Sequence, residues 1–357
     1  MAKSLLILGA AGFIGTSIRR AAAAEYELLS VDLVATPAAA GLTGVTRVVG
    51  EERYAVDLGS PAEIDGLWRA AKLDAREIAA VIHLAAYYDF RNRQDRRYER
   101  VIRGLAHLLE RLGGSLRPDI PFLYASSMAA MAPTEPGQKQ DADSPRAGLW
   151  EYPRHKREAE ATIEAAAIPQ PRVELVLAAV YSGWCELVPL YQHIEQVARR
   201  SPLSSLYPGS VDRGLTYVHL SAVADAFLRS IDAFRGQSGV HRLLIGEDRP
   251  VTYLQIHRAA QRAFGRRQGR IRRIPRWLAR LGARIVGWMG KVLGTSPFIQ
   301  PWMIDFAGEH FEFDIRPTRQ LLEWQPGGYL GDRLDDICDR AAIHREIWRA
   351  KNEARPR

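Results

Sequence analysis

LLILGAAGFIGTSI, residues 5–18, runs from four apolar residues into three glycines and then into a helix-forming stretch. Leu5, Leu6, Ile7 and Leu8 read as a short strand buried on both faces. Gly9 permits a tight turn directly after it. Gly12 lets the backbone approach a phosphate with no side chain in the way, and Gly15 lets helix and strand pack closely. The helix start carries N–H groups and partial positive charge suited to a pyrophosphate, with Phe13 and Ile14 in its first turn. A second strand at 27–31 ends in Asp32. A carboxylate there accepts hydrogen bonds from adenosine ribose hydroxyls and repels a 2′-phosphate. No Arg or Lys follows before Arg47, which favours NAD over NADP. The spacing is Gly-x-x-Gly-x-x-Gly, one residue longer in its first gap than the commonest dinucleotide pattern.

Strands and helices alternate from that start. Strands are expected at 4–8, 27–31, 45–49, 79–84, 120–125 and 173–177, with helices at 12–24, 61–73, 95–112 and 152–167. Such alternation predicts an α/β fold: a doubly wound parallel sheet that binds ligands beyond the carboxyl ends of its strands. Asp57 and Leu58 then fall where an adenine would lie. Leu84, Ala85 and Ala86 end the fourth strand, where small residues let the backbone run along a cofactor. His83 beside them reads as a satisfied core histidine. Regularity weakens after Ser182. The expected division is a dinucleotide-binding domain over 1–181 rejoined by 214–247, a substrate-binding region over 182–213 and 248–331, and a helical tail over 332–357. YVHLSAVADAF (217–227) reads as a short strand and a helix rejoining the main sheet, and 241–245 as one more strand.

The second decisive stretch is YPRHK, 152–156. Tyr152 and Lys156 share a helix face, and Pro153 is tolerated only near a helix start, so Tyr152 belongs in the first turn. A free phenol titrates near pH ~10. A neighbouring ammonium and a positive nicotinamide would lower that value, and Tyr152 would serve as base toward an alcohol or acid toward a carbonyl. Ser127, closing FLYASSM, is expected to orient the substrate oxygen, with Ser126 the competing choice. Lys156 would also hold the nicotinamide ribose. Substrate contacts are expected from Tyr87, Ser127, Met128 and Trp184; Tyr88, Phe298 and Trp302 line a pocket or belong to the core. Together with the glycine motif, this group points to a nicotinamide-dependent oxidoreductase.

Composition narrows the setting. A chain of 357 residues, 47% hydrophobic, can bury a large core. No secretory leader or membrane span is expected. Cys185 and Cys338 have no metal or redox spacing, so no metal is expected and a reducing, cytoplasmic location is. The net charge of +8 is concentrated at 91–103 and 266–291. No nucleic-acid-binding module accompanies it, which leaves an anionic small molecule or a membrane surface as its counterpart.

These residues together resemble the extended short-chain dehydrogenase/reductase family, in its epimerase/dehydratase branch, over about 1–330. The resemblance rests on the glycine motif, Asp32, HLAA (83–86), Ser127 with Tyr152 and Lys156, VYSG (180–183), YVHL (217–220) and LLEWQP (321–326). It implies a Rossmann sheet with a small C-terminal substrate domain, NAD as cofactor, and a homodimer paired through the helices at 95–112 and 152–167. Departures are informative. The family's Asn in the helix before the serine strand is Val101 or Ile102 here. Its Arg before the YVHL-like strand is Leu215, with Arg213 two residues away; its Gly-Pro is Gly183-Trp184, and its Asp-Asp is Ser221-Ala222. The dinucleotide machinery thus matches better than the sugar-diphosphate machinery, and 296–315 resembles a bacterial subgroup with unassigned substrates. Three functions follow: an NAD-dependent oxidoreductase acting on a secondary alcohol or ketone, a nucleotide-sugar epimerase or dehydratase, and a non-catalytic NAD-binding regulatory module.

RIRRIPRWLARLGARIVGWMGKVL, 270–293, places Trp277, Leu281, Ile285, Trp288 and Val292 on one helical face and Arg273, Arg276, Arg280, Arg284 and Lys291 largely off it. The expected arrangement is a cap helix whose apolar face packs on the substrate region. The alternative is weak contact with an anionic membrane surface through 270–293.

Overall fold

Among the described residues the chain crosses one sheet seven times, always in the same direction. The computed structural model describes residues 3–33, 50–88, 92, 94–267, 269–292 and 300–353. Strands β1 (Ser4–Leu8), β2 (Glu27–Asp32), β3 (Glu51–Ala55), β4 (Ile78–His83), β5 (Phe122–Ser127) and β6 (Arg172–Leu177) join a last strand, Val240–Ile245. Their spatial order is Val240–Ile245, β6, β5, β4, β1, β2, β3, with every pair parallel. All residues of β1, β4 and β6 are buried, and β1 and β4 show no polar alternation. Strand order reverses between β1 and β4, which opens a crevice at their carboxyl ends.

Helices α1 (Phe13–Ala22) and α6 (Leu220–Phe234) cover one face through Ile18, Ala22, Phe227 and Ile231. Helices α2 (Pro61–Ala70), α3 (Arg96–Ser115) and α4 (Glu151–Ala165) cover the other through Ile64, Trp68, Leu105, Leu108 and Ile163. The remaining helices are α5 (Val188–Ala198), α7 (Tyr253–Ala263), α8 (Arg276–Val292), α9 (Arg316–Leu322), α10 (Leu330–Ile343) and α11 (Arg345–Glu353). A third core brings α5, α7, α10 and α11 together around Tyr191, Ile194, Ile256, Leu334 and Trp348. The polar-looking tail is helical as expected and buries its own apolar stripe there. The short ladder of Leu206–Tyr207 with Arg272–Arg273 ties the two expected substrate segments together, and that of Gly214–Leu215 with Val251–Thr252 ties the second of them to the segment expected to rejoin the dinucleotide-binding domain.

Two expectations change, and one lies outside the described residues. The strand expected at 45–49, with Arg47, lies outside the described residues; the strand beside β2 is Glu51–Ala55. Tyr217–His219 does not rejoin the main sheet. It pairs with Ala179–Tyr181 as a separate ladder, because the Ala178 N–H donates to Ile245 while the Ala179 N–H donates to Thr216, so the strand changes partner within one residue. Finally, α8 turns its apolar face outward. Ala283 is buried, with Ala279 and Gly287 half-buried on the same side, while Trp277, Ile285 and Trp288 are 66%, 51% and 67% exposed. The small-residue stripe allows close approach to the turn Pro301–Ile304, and Arg280 pairs with Asp305.

Candidate active site

Gly9 leaves β1 with φ at +91°, and a Cβ there would sit 2.7 Å from the Ala85 nitrogen; both facts restrict the position to glycine. The close approach follows from stitching of β4 to β1: the Leu84 and Ala85 N–H groups donate to the Leu8 carbonyl at 2.8 and 3.1 Å. A Cβ on Gly15 would strike the Gly9 carbonyl and Ala10, so this glycine seats α1 on the turn. Gly12 is the N-cap of α1 and no side chain caps it, which leaves the helix start open to an anion. Phe13 and Ile14 form that first turn.

Asp32 closes the other side. Its Oδ2 accepts the Ala11 N–H at 2.9 Å and its Oδ1 accepts the Leu33 N–H at 2.8 Å. Each oxygen keeps a second lone pair, so the carboxylate can brace the glycine turn and still accept ribose hydroxyls. The loop carrying Asp57 and Leu58 is pinned: Asp57 accepts from the Gly59 N–H at 2.8 Å and pairs with Arg100, while its own N–H donates to Glu63 at 2.7 Å. A cradle that a Cβ would fill, an uncapped helix start and an acid with free lone pairs together fit a dinucleotide.

Helix α4 starts at Glu151, with Pro153 in its first turn as expected. Its inner face meets the end of β5. The Ser127 hydroxyl stands close enough to Tyr152 to favour its phenolate, and its Oγ accepts the Ala129 N–H at 3.2 Å. Ser126 instead donates to the buried Glu160, which Arg146 holds from the other side at 3.0 Å. Strand alternation separates the two serines: Ser126 is turned to Glu160, while Ser127 ends the strand in the crevice.

Lys156 is buried, with two of its three donors engaged. Its Nζ donates to the Ala125 carbonyl at 2.7 Å and to the Tyr124 hydroxyl at 3.2 Å. It lies 4.6 Å from the Tyr124 ring centroid and 5.9 Å from that of Tyr152. Burial pulls the Lys156 ammonium down to about 8, with Glu160 opposing. Burial also pushes the Tyr152 phenol up to about 12, with Ser127 opposing. This reverses the lowered phenol expected from sequence. Without cofactor, burial thus disfavours the charged form of both groups.

Sequence reasoning missed Tyr124, which alternates onto the α4 face of β5 with Ser126. It also described His83 as satisfied. His83 is buried, and burial, then the Lys156 charge, pull it down to about 3. Its Nδ1 has no hydrogen-bond partner among the described residues. His83, Val101, Ile102, Tyr124, Tyr152 and Lys156 line one small cavity, so apolar side chains stand where the resembling family carries its Asn.

Aromatic rings wall the front of the site. Tyr88 meets Tyr152 edge-on at 4.5 Å, Trp150 lies 5.5 Å from Tyr152, and Trp302 lies 4.8 Å from Trp150. Trp150 was not anticipated, because as N-cap of α4 it carries no capping signature. Tyr87, named from sequence, lines the same cavity as Tyr152; its hydroxyl donates to Asp95 at 3.3 Å and its ring lies under Arg97, at the start of α3. Trp184 lies against the C-terminal helices, with Arg340 and Lys351 over its ring. Met128 packs between the first and third cores. Phe298 is outside the described residues. Arg213, the nearest candidate for a substrate phosphate, is paired with Glu135.

The sequence pattern of the NAD dependent epimerase/dehydratase family matches residues 5–246. The chain belongs to that family. Its members are enzymes, and NAD is their cofactor. Solved structures share the fold at low identity. dTDP-glucose 4,6-dehydratase from Bacillus anthracis, in complex with NAD, is 13% identical at a TM-score of 0.69, over 98% of this chain and 100% of that one. UDP-glucose 4-epimerase from Thermotoga maritima, with UDP-glucose, is 16% identical at 0.68, over 96% and 99%. A putative epimerase from Burkholderia cenocepacia is 19% identical at 0.67, over 96% and 99%. No curated protein matches the sequence.

Proposed function

We propose that this family member transfers hydride at a secondary alcohol or ketone of largely apolar character. The observation that carries the reading is the Ser127–Tyr152 hydroxyl pair standing behind Tyr88, Trp150 and Trp302. Gly9, Gly12, Phe13, Ile14, Gly15 and Asp32 would hold the dinucleotide, with Asp57 and Leu58 near the adenine and Leu84, Ala85 and Ala86 along its length. NAD supplies the hydride acceptor or donor. Tyr152 takes the hydroxyl proton of an alcohol or returns one to a carbonyl, and Ser127 orients the oxygen. Lys156 would hold the ribose. The aromatic wall excludes water and strengthens each of these polar contacts.

A nucleotide-sugar epimerase or dehydratase is the second reading, favoured by the family match itself. It needs cationic groups for a diphosphate, and the pairing of Arg213 with Glu135 weakens it. A non-catalytic NAD module is disfavoured by the assembled Ser127, Tyr152 and Lys156. The test is NADH formation from a panel of apolar secondary alcohols, alongside mass spectrometry of molecules released on denaturation. Turnover that Tyr152→Phe abolishes supports the proposal. A released nucleotide sugar with one NAD per chain, and no net NADH formation, would overturn it.

We also propose a cytoplasmic homodimer paired through α3 and α4. Arg100, Arg103, Glu110, Arg154 and Glu158 are exposed on these helices, so that interface would be polar and salt-sensitive.

A further inference from the structure

We infer that α8 docks the protein onto an anionic membrane surface, lying in its plane. The inference is independent of the reading of the active site. Three observations converge on it. The first is the outward face: Trp277, Leu278, Leu281, Ile285, Trp288 and Met289 are all exposed, between 42% and 67%. On a helical wheel they form one continuous sector opposite Ala279, Ala283 and Gly287, which approach the protein body. A cap helix serving the core would present these two faces the other way round.

The second observation is charge. Residues 249–304 contain eleven Arg and one Lys, and not one Asp or Glu. Arg267, Arg270, Arg272, Arg273, Arg276 and Arg284 are all exposed. Arg276, Arg280 and Arg284 are spaced four apart along the flank between the apolar sector and the body. Arg280 is tied to Asp305 and the Arg276 guanidinium donates to the Ala307 carbonyl at 3.2 Å. A surface of this composition attracts acidic headgroups at the depth where its apolar sector enters the acyl boundary. It disfavours a second copy of the chain seated symmetrically on the same face, because that contact would bring arginine against arginine with no acid in the segment to pair with.

The third observation is the placement of the tryptophans in the first and fourth turns of the helix. An indole carries an apolar body and one N–H donor, and it settles at the headgroup level. Among the described residues no helix is long and apolar enough to cross a membrane, so contact is with the surface. Because α8 adjoins the turn that carries Trp302, docking would hold the aromatic mouth of the site close to the lipid.

The test is co-sedimentation of the full chain with phosphatidylcholine vesicles, with and without phosphatidylserine, across a salt series. Tryptophan emission is followed in parallel. The proposal expects binding to the phosphatidylserine vesicles, loss at high salt, and a blue shift on binding. Trp277→Ser with Trp288→Ser should lower the partition about a hundredfold, each indole contributing roughly tenfold. Both side chains are exposed, so the fold and NAD binding of the double variant should be unchanged, which is checked by thermal shift with NAD. No binding to either vesicle would overturn the proposal. So would equal, salt-insensitive binding to both, or concentration-dependent self-association that the double variant abolishes.

Discussion

Titrated without added cofactor, the protein should release a proton from Lys156 well before it releases one from Tyr152. Burial holds the lysine at about 8 and the phenol at about 12. Their separation is 5.9 Å from Nζ to ring centroid. Unit charges about 6 Å apart at an effective dielectric of about 20 interact by about 3 kcal/mol, or roughly two pKa units. That attraction covers only about half of the gap. The neutral phenol–amine pair therefore outweighs the phenolate–ammonium pair by roughly a hundredfold. The perturbation is Tyr152→Phe, and the assay is the near-ultraviolet phenolate absorbance of the wild type minus that of the variant. Tyr152 should give no phenolate below about pH 10. Added NAD, which brings positive charge, should move the signal to lower pH; NADH should move it less. Phenolate from Tyr152 near pH 8 without cofactor would refute the reasoning, and would mean that the ammonium remains beside the phenol.

Other consequences can be checked separately. Ser127→Ala should lower kcat/KM about a hundredfold or more on any substrate found, by removing the donor at the reacting oxygen. Ser126→Ala, which withdraws a hydroxyl from buried Glu160, should instead cost about 1–3 kcal/mol of stability with kcat little changed, as measured by urea unfolding. Gly9→Ala should abolish the thermal shift given by NAD, because its Cβ would meet the Ala85 backbone in a left-handed turn. Glu174 is buried, and burial raises it to about 8. The unfolded chain gives up that proton near its ordinary value, so this group's contribution falls as pH rises from about 4.5 to 8. Glu174→Gln should flatten that part of the stability profile in thermal unfolding.

Local chain chemistry was enough for most strands of the sheet and for the glycine turn with Asp32 beside it. Four apolar residues followed by glycines with helix-compatible spacing have few other uses, and Asp32 had to end the next strand for the motif to close. The observed β1, β2, β4, β5 and β6 lie within two residues of their expected bounds. Tyr152, Pro153 and Lys156 likewise declare a helix start through spacing alone. Periodicity also marked α8 as amphipathic, since it needs only the neighbours along one helix.

Other features depend on which element lies opposite, and a one-dimensional pattern does not carry that. Which of Ser126 and Ser127 is left beside Tyr152 turned on Glu160, which α4 brings behind β5 from far along the chain. The titration order of Lys156 and Tyr152 is a matter of burial, which changes the free energy of a charge without changing the sequence around it. Tyr124 became a partner of Lys156 only once the β5 pleat faced α4. Trp184 went to the C-terminal helices and Trp150 came to the site, both through contacts between distant segments. For α8, periodicity supplied two faces but not their direction. Only packing showed that the small residues face the protein and the tryptophans face out.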